Sequence, residues 1–134
     1  RRNDWMDRAE IIEDDGFDVL NRMARDNRSF DFIALDPPSF ARSSSQLAEA
    51  RRGYKEVNLR SMRMVKDEGI LATSSCSAPV SREAFVEIVR ESASDAHTAC
   101  RVLDERGQPP DHPWLTDVPA TRYLKCLICE ISLR

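Results

Sequence analysis

Two short stretches of this sequence decide its fold: residues 32–40 read FIALDPPSF, and residues 69–77 read GILATSSCS. Each is an apolar run typical of a buried parallel strand. The first run stops at Asp36 and the second at Cys76. Ligands of open α/β sheets bind outside the carboxyl ends of the strands. We therefore expect Asp36, the stiff Pro-Pro turn after it and Cys76 to face one crevice. This combination favours an enzyme that acts on a flat heteroatomic ring, such as a nucleobase.

The composition fits one soluble domain: the chain has 134 residues, of which 41% are hydrophobic and 32% are charged. No apolar stretch approaches the roughly 20 residues that a membrane span needs, so no membrane contact is expected. The four cysteines lack the spacing of a disulfide framework, which indicates a reducing, cytoplasmic location. The net charge of −3 argues against strong nonspecific binding to nucleic acid. Any RNA affinity would need a local basic surface or another part of a longer protein.

Hydrophobic periodicity predicts the element order β-α-β-α-β-α-β-loop-β. This alternation indicates an α/β fold with a parallel sheet flanked by helices. No helix separates the last two strands, so we expect them to form an antiparallel pair at one edge. The predicted strands are 11–12 (a short candidate), 30–35, 70–75, 99–103 and 123–133, and residues 104–120 are a long loop. The predicted helices are 18–26, 46–66 with a break near Gly53 and a cap at 67–69, and a third that starts at 79–81.

A glycine-rich nucleotide loop does not occur, because the chain has four glycines and they lie far apart, at positions 16, 53, 69 and 107. A nucleotide-type cofactor normally needs a tight glycine turn after the first strand of the fold. Either the protein uses no such cofactor or the chain starts after that turn. The start at Arg1, without an initiator methionine, favours the second interpretation.

Six short motifs occur here in a characteristic order: residues 36–40 (DPPSF), 52–58 (RGYKEVN), 69–71 (GIL), 75–77 (SCS), 111–113 (DHP) and 123–125 (YLK). This ordered set resembles the catalytic domain of class I S-adenosylmethionine-dependent methyltransferases of the large-subunit ribosomal RNA cytosine-C5 (RlmI-like) group. The resemblance implies a Rossmann-like sheet truncated at its N-terminal half, with residues 1–134 as the C-terminal portion of the catalytic domain. It also implies S-adenosylmethionine as cofactor and ribosomal RNA as partner. The missing first strand would leave an apolar sheet edge, through which a homodimer could form.

The resemblance assigns roles to individual residues. Cys76 is expected to be the nucleophile, whose thiolate adds to C6 of cytosine and makes C5 reactive enough to attack a sulfonium methyl group. Asp36 would position the base or accept a proton. The cofactor would be held by Asp15, Gly16, Asp36 and Pro37, with the first two against its adenine. The substrate would be bound by Pro38, Phe40, Arg52, Tyr54, Lys55 and His112, and no metal site is expected.

Several of these residues keep a second interpretation. Cys76 could be a buried structural cysteine, since cysteine is among the most buried residue types. Arg52 and Lys55 either contact RNA phosphate or lie on a solvated helix face. Tyr54 either lines the base pocket or belongs to the core. His112 is either a proton carrier near the site or a turn residue.

Two further functions remain open. An Asp-Pro-Pro-aromatic sequence is also typical of methyltransferases that act on exocyclic amines, in which the aromatic ring stacks on the target base and Cys76 would be inert. Here Ser39 intervenes before Phe40, which weakens that alternative. The chain could also be a catalytically inactive RNA-docking or association module. The CxxC spacing at residues 126–129 matches a redox motif, but residues three apart in a strand point to opposite faces, so no redox role is expected.

Overall fold

The computed structural model describes residues 8–134, which form a mixed sheet with helices. The elements are α1 Gly16–Arg25, β1 Phe30–Leu35, α2 Leu47–Met64, β2 Val65–Ser75, α3 Arg82–Ala96, β3 Thr98–Arg106 and β4 Lys125–Leu133. Short 3₁₀ turns occupy Ser44–Gln46 and Pro119–Thr121. In this part of the chain no helix is long and apolar enough to cross a membrane. The α/β class predicted from the sequence is confirmed.

Side-chain caps fix where two of the helices begin. The Asp15 carboxylate accepts hydrogen bonds from the first free N–H groups of α1, and the Ser81 hydroxyl accepts one from the N–H of Ala84 in α3. Both residues belong to the types that satisfy orphan N–H groups at helix starts. At its other end α3 stops at His97, whose φ of 58° is left-handed.

The strands lie in the order β1-β2-β4-β3. β1 and β2 are parallel, with Leu35 opposite Thr73 near their carboxyl ends. β4 is antiparallel to both β2 and β3. The predicted antiparallel pair at one edge is therefore confirmed, whereas the parallel part of the described sheet is limited to β1 and β2. β1 forms the opposite edge, where the Phe32 side chain is exposed.

The core lies between one face of the sheet and the helices α2 and α3. Tyr54 and Met62 of α2 and Phe85 of α3 are almost fully buried against Leu71 and Leu127 of the two central strands. Along β2 the side chains alternate between buried and half-buried positions. The alternation is the period-2 pattern that a strand covered on one face requires.

Several predicted boundaries were wrong. Residues 11–12 are not a strand; Ile11 is exposed and lies in irregular chain before α1. Helix α2 runs through Gly53 without a break, and the Phe40 ring packs beside this glycine, where a Cβ would lie 3.2 Å from the ring. Residues 67–69 are not a helix cap but part of β2, which starts at Val65.

The long N-terminal part of β2 is accommodated by a bulge. Phe30 is opposite Val65, yet Phe32 is opposite Ile70, so the register shifts between these two pairs. Glu68 in the bulge has a left-handed φ of 60°. β3 also extends beyond the predicted 99–103, to Arg106, because its later residues continue to pair with β4. A bulge of this kind is a tertiary feature that the local hydrophobic pattern does not encode.

Candidate functional site

The carboxyl ends of β1 and β2 meet, as the sequence predicts for neighbouring parallel strands. Asp36 and Pro37 follow the end of β1, and Cys76 follows the end of β2. The Cys76 Sγ lies 3.9 Å from the carbonyl oxygen of Pro37. Cys76 is half-buried, so it is neither a core residue nor fully exposed to solvent. The structure thus brings the loop that carries Asp36 and the Cys76 thiol to the same edge of the sheet.

The predicted cofactor residues also lie together. A cavity of about 430 Å³ is bounded by Asp15 and Gly16 at the start of α1 and by Asp36 and Pro37 after β1. Its wall between these two ends is apolar, with Phe17, Leu20, Leu35 and Val57 among the lining residues. A Cβ built on Gly16 would meet nothing within 4 Å, so the backbone is open to the cavity at this point. A polar rim around an apolar floor suits a flat heteroaromatic ring.

The Asp15 carboxylate has a structural role in the same place. Its Oδ1 accepts hydrogen bonds from the N–H groups of Phe17 at 2.9 Å and Asp18 at 3.3 Å. Both bonds use one carboxylate oxygen, so Oδ2 takes no part in capping the helix. A ligand donor in the cavity could therefore bind Oδ2 without breaking the cap.

Phe40 lines the cavity and is half-buried. Its ring also packs against the Phe17 ring at 5.8 Å and edge-on against the Tyr54 ring at 4.7 Å between centroids. Tyr54 is 0% exposed, which fits the core interpretation of this residue. Lys55 lies on the flank between α2 and α3, where its Nζ is 2.8 Å from the Asp95 carboxylate and 3.8 Å from Glu91.

The remaining predicted substrate residues lie at the surface. Pro38 is exposed and lines the cavity, whereas Arg52 is exposed on α2. His112 is exposed in the loop between β3 and β4. The ring Nε2 of His112 lies 2.5 Å from the Tyr123 hydroxyl. The backbone N–H of His112 donates to the carbonyl of Pro109. These contacts fit the turn-forming interpretation of His112 and connect it with neither Asp36 nor Cys76.

Sequence analysis missed two residues that hold the Cys76 turn. The Lys125 Nζ donates to the carbonyl oxygens of Ser77 at 2.8 Å and Val80 at 2.6 Å. Burial lowers the pKa of this lysine, and the nearby Cys76 opposes that shift. The Ser77 hydroxyl is bonded to three groups from the α2 helix and the loop after β1. Both residues belong to motifs that carried the resemblance, but only a three-dimensional structure shows what they contact.

The other cysteines have a structural explanation. Cys129 is buried in β4, and its contact with Cys100, together with burial, raises the pKa of its thiol. Cys126 lies on the opposite face of the same strand, as predicted for residues three apart. Within residues 8–134 no group of three or more His, Cys, Asp or Glu side chains is arranged to hold a metal ion.

The sheet order, the helices on its face and the cavity at the carboxyl end of β1 are those of a Rossmann-like α/β fold. A proposed methyltransferase solved in complex with SAH matches 87% of the chain with a TM-score of 0.71 at 21% identity, over 30% of its own length. A proposed SAM-dependent methyltransferase from Streptococcus mutans matches 87% of the chain with a TM-score of 0.70 at 20% identity, over 29% of its length. The predicted Rossmann-like fold is confirmed.

The sequence is similar to curated proteins over most of its length. Ribosomal RNA large subunit methyltransferase I of Cronobacter sakazakii is 35% identical over 126 residues, which are 94% of this chain and 32% of the relative. The protein of that name from Tolumonas auensis is 40% identical over 121 residues, 90% of this chain and 30% of the relative. Over most of its length the chain is thus homologous to the large-subunit ribosomal RNA methyltransferase I proteins, and the resemblance seen in the motifs is confirmed. The chain spans about a third of the length of these relatives, and no protein-family model matches it.

Proposed function

We propose that the protein containing this chain transfers a methyl group from S-adenosylmethionine to C5 of a cytosine in large-subunit ribosomal RNA, with Cys76 as nucleophile. The observation that carries the proposal is the contact of 3.9 Å between Cys76 Sγ and the Pro37 carbonyl oxygen, beside Asp36. The curated relatives are named as ribosomal RNA methyltransferases, and one structural neighbour contains SAH. A cytoplasmic location, where ribosomal RNA is found, belongs to the same proposal.

The cavity at Asp15 and Asp36 fits the adenosine part of the cofactor. Asp15 Oδ2 would accept from the adenine amino group, because Oδ1 is engaged in capping α1. Gly16 has open space in place of a side chain, so its backbone can approach the ring closely. Leu35 and Pro37 supply apolar contact. When bound, the cofactor supplies an electrophilic methyl group on a sulfonium.

The thiol at the rim supplies the activation that cytosine needs. The Cys76 thiolate forms a bond to C6, and the C5–C6 π electrons become available at C5, which then takes the methyl group. A base removes the proton from C5, the electrons of that C–H bond restore the double bond, and the C6–S bond breaks to release the thiolate. Asp36 lines the cavity next to Pro37, whose carbonyl oxygen contacts the Cys76 thiol, and is suited to hold the base or to accept a proton. Each turnover thus returns Cys76 to its starting state.

Methylation of an exocyclic amine receives less support from the geometry. That chemistry needs the aromatic residue after Asp-Pro-Pro to stack on the target base; Phe40 lines the cavity, but its ring already packs against Phe17 and Tyr54. The association module keeps one observation in its favour, which is the edge strand β1 with Phe32 57% exposed. Homodimer formation through this edge remains a prediction, and sedimentation of wild type and Phe32→Lys tests it, because a charge on an edge strand opposes pairing.

Trapping with 5-fluorocytidine-substituted RNA tests the cysteine mechanism. Fluorine at C5 cannot leave as the proton does, so the C6–S bond persists after methyl transfer. We expect the full-length protein with S-adenosylmethionine to form a denaturation-resistant RNA adduct, and Cys76→Ser to abolish it. Cys126→Ser is the matched control, since Cys126 is also a half-buried free cysteine. An adduct of unchanged yield in Cys76→Ser would rule out Cys76 as nucleophile.

A further inference from the structure

A hydrogen-bond network adjoins Cys76, with the buried Ser77 at its centre and the exposed Ser39 at one end. The Ser77 side chain is 0% exposed. Its Oγ lies 2.9 Å from the Ser39 Oγ, 2.9 Å from the Tyr54 hydroxyl and 3.2 Å from the backbone nitrogen of Ala41. We call Ser39, Ala41, Tyr54 and Ser77 the Ser77 network. It joins three elements: the loop after β1, helix α2 and the turn after β2.

The direction of each hydrogen bond in the Ser77 network follows from counting hydrogens. The Ser39 hydroxyl donates to the carbonyl oxygen of Ala41 at 2.9 Å, so its one hydrogen is used there. When all of these contacts are hydrogen bonds at once, Ser77 donates to Ser39 and accepts from the Tyr54 hydroxyl and from the N–H of Ala41. In that arrangement the one hydrogen and both acceptor sites of the Ser77 hydroxyl are used.

The backbone of Ser77 is held as well. Its carbonyl oxygen accepts from the Lys125 Nζ at 2.8 Å and from the N–H of Val80 at 3.2 Å. The Ser77 side chain is therefore bonded to the loop after β1. Its carbonyl oxygen attaches the turn after β2 to Lys125 at the start of β4. Cys76 lies one residue before this anchor, and Pro37 lies two residues before Ser39. The distance between Cys76 Sγ and the Pro37 carbonyl is consequently set by the Ser77 network.

We propose that Ser77 is a positioning residue: its hydroxyl, oriented by Tyr54, holds the Asp36–Pro38 loop in register with the Cys76 thiol, so that both address one substrate ring. The inference rests on the proposed function and extends it to residues that do not touch the substrate. It also explains a fully buried tyrosine hydroxyl at position 54, because the Tyr54 ring alone would satisfy packing against Phe40 and Phe85. The hydroxyl is needed to orient Ser77.

The test compares Ser77→Ala and Tyr54→Phe with Ser61→Ala in the full-length protein. Ser61 is a matched control, since it is 0% exposed and its hydroxyl has no hydrogen-bond partner among the described residues. We expect kcat for methyl transfer to fall by about 10- to 100-fold in Ser77→Ala, because a displacement of about 1 Å at a reacting group costs up to about 100-fold. Tyr54→Phe keeps the ring and is expected to lose about threefold to tenfold in kcat. The KM for the cofactor is expected to stay within about twofold in both variants.

The rate at which iodoacetamide alkylates Cys76 reports how this thiol is positioned, without any methyl transfer. Trypsin releases residues 67–82, in which Cys76 is the sole cysteine, and residues 91–101, in which Cys100 is the sole cysteine. In Ser77→Ala we expect alkylation of Cys76 to accelerate by about threefold or more, because the thiol is freed from Pro37 and gains exposure. Cys100 is expected to react at the wild-type rate.

The outcomes separate the inference from the proposed function. If wild type methylates no RNA but Cys76 alone is accelerated in Ser77→Ala, the proposed function fails and the positioning role of Ser77 stands. Equal acceleration of Cys76 and Cys100 would mean a loosened fold and would overturn the inference. It is also overturned if Ser77→Ala and Tyr54→Phe match Ser61→Ala both in kcat and in the alkylation of Cys76. Tyr54→Phe decides the question alone if Ser77→Ala does not fold.

Discussion

Asp15 caps α1, and the proposed function gives it a second role as a partner for the cofactor. The cap consists of two hydrogen bonds from Oδ1 to the N–H groups of Phe17 and Asp18. Replacing a good N-cap by alanine costs about 1 kcal/mol, whereas serine caps about as well as aspartate. We therefore expect Asp15→Ala to lower the free energy of unfolding by about 1 kcal/mol and Asp15→Ser to leave it nearly unchanged.

Cofactor affinity is expected to behave differently. A hydrogen bond to a charged group contributes about 1.5–3 kcal/mol. Because Asp15 is exposed, the lower end applies, and about 1.5 kcal/mol corresponds to roughly a tenfold weaker Kd. Serine is too short to cap the helix and reach the adenine at once. Asp15→Ser and Asp15→Ala are thus both expected to bind S-adenosylmethionine about tenfold more weakly.

Denaturant unfolding and calorimetric titration of the full-length protein measure the two effects. Asp14→Ser is the control for charge, since Asp14 is the adjacent carboxylate and is paired with Arg22 at 3.0 Å. Wild-type affinity in Asp15→Ser would refute the adenine contact. Equal losses of cofactor affinity in Asp14→Ser and Asp15→Ser would mean that the effect is general electrostatics. Equal stability of Asp15→Ala and Asp15→Ser would refute the helix cap.

Three other predictions concern the fold. Leu71→Ala removes a fully buried side chain from the central strand β2 and is expected to cost about 2–5 kcal/mol in urea unfolding; a loss below about 1 kcal/mol would contradict the assigned core. Gly69→Ala would place a Cβ 2.7 Å from Val65 Cγ1 and is expected to cost about 1–3 kcal/mol, whereas unchanged stability would contradict the bulge geometry. The hydrogen bond with Lys55 lowers the pKa of Asp95 below its ordinary value of 3.8. The stabilisation from this ion pair is therefore present above pH 3.8 and is lost as the pH falls through the lowered pKa. Salt screens it. Unfolding of Asp95→Asn should therefore differ from wild type at pH 7 in low salt and converge with it in acid; a difference that persists in acid would contradict the ion pair.

The sequence predicted those parts of the fold that depend on local pattern. β1 was predicted with its observed bounds because an apolar run of strand length lies between a polar turn and a Pro-Pro stop. The contact between the loop after β1 and Cys76 followed from one rule, that neighbouring parallel strands end at the same edge of the sheet. No knowledge of side-chain packing was needed for either.

Contacts between distant segments explain the errors. Gly53 was expected to break α2, but the helix is continuous and the Phe40 ring fills the space where a side chain at position 53 would lie. Ile11 and Ile12 have the composition of a strand, yet a strand forms only where a neighbour pairs with it. The local sequence at positions 53, 11 and 12 is compatible with either outcome.

Tyr54 and Lys55 each had two interpretations from the sequence, and the fold shows what surrounds them. Ala50, Tyr54, Val57 and Ser61 recur at helical spacing, and all four are buried on the inner face of α2. This periodicity was available in the sequence and favours a core position for Tyr54. Whether Lys55 meets RNA or a carboxylate depends on which helix lies beside it, and only the fold shows that α3 supplies Asp95.

The identity of the residue that bonds to cytosine tests the central claim most directly. After trapping with 5-fluorocytidine-substituted RNA, digestion with trypsin and nuclease and mass spectrometry locate the nucleotide on one peptide. We expect residues 67–82, with Cys76, to carry the mass of one methylated fluorocytidine nucleotide. The same mass on residues 126–134, which hold Cys126 and Cys129, or on the Cys100 peptide, would contradict the assignment of Cys76 as the nucleophile.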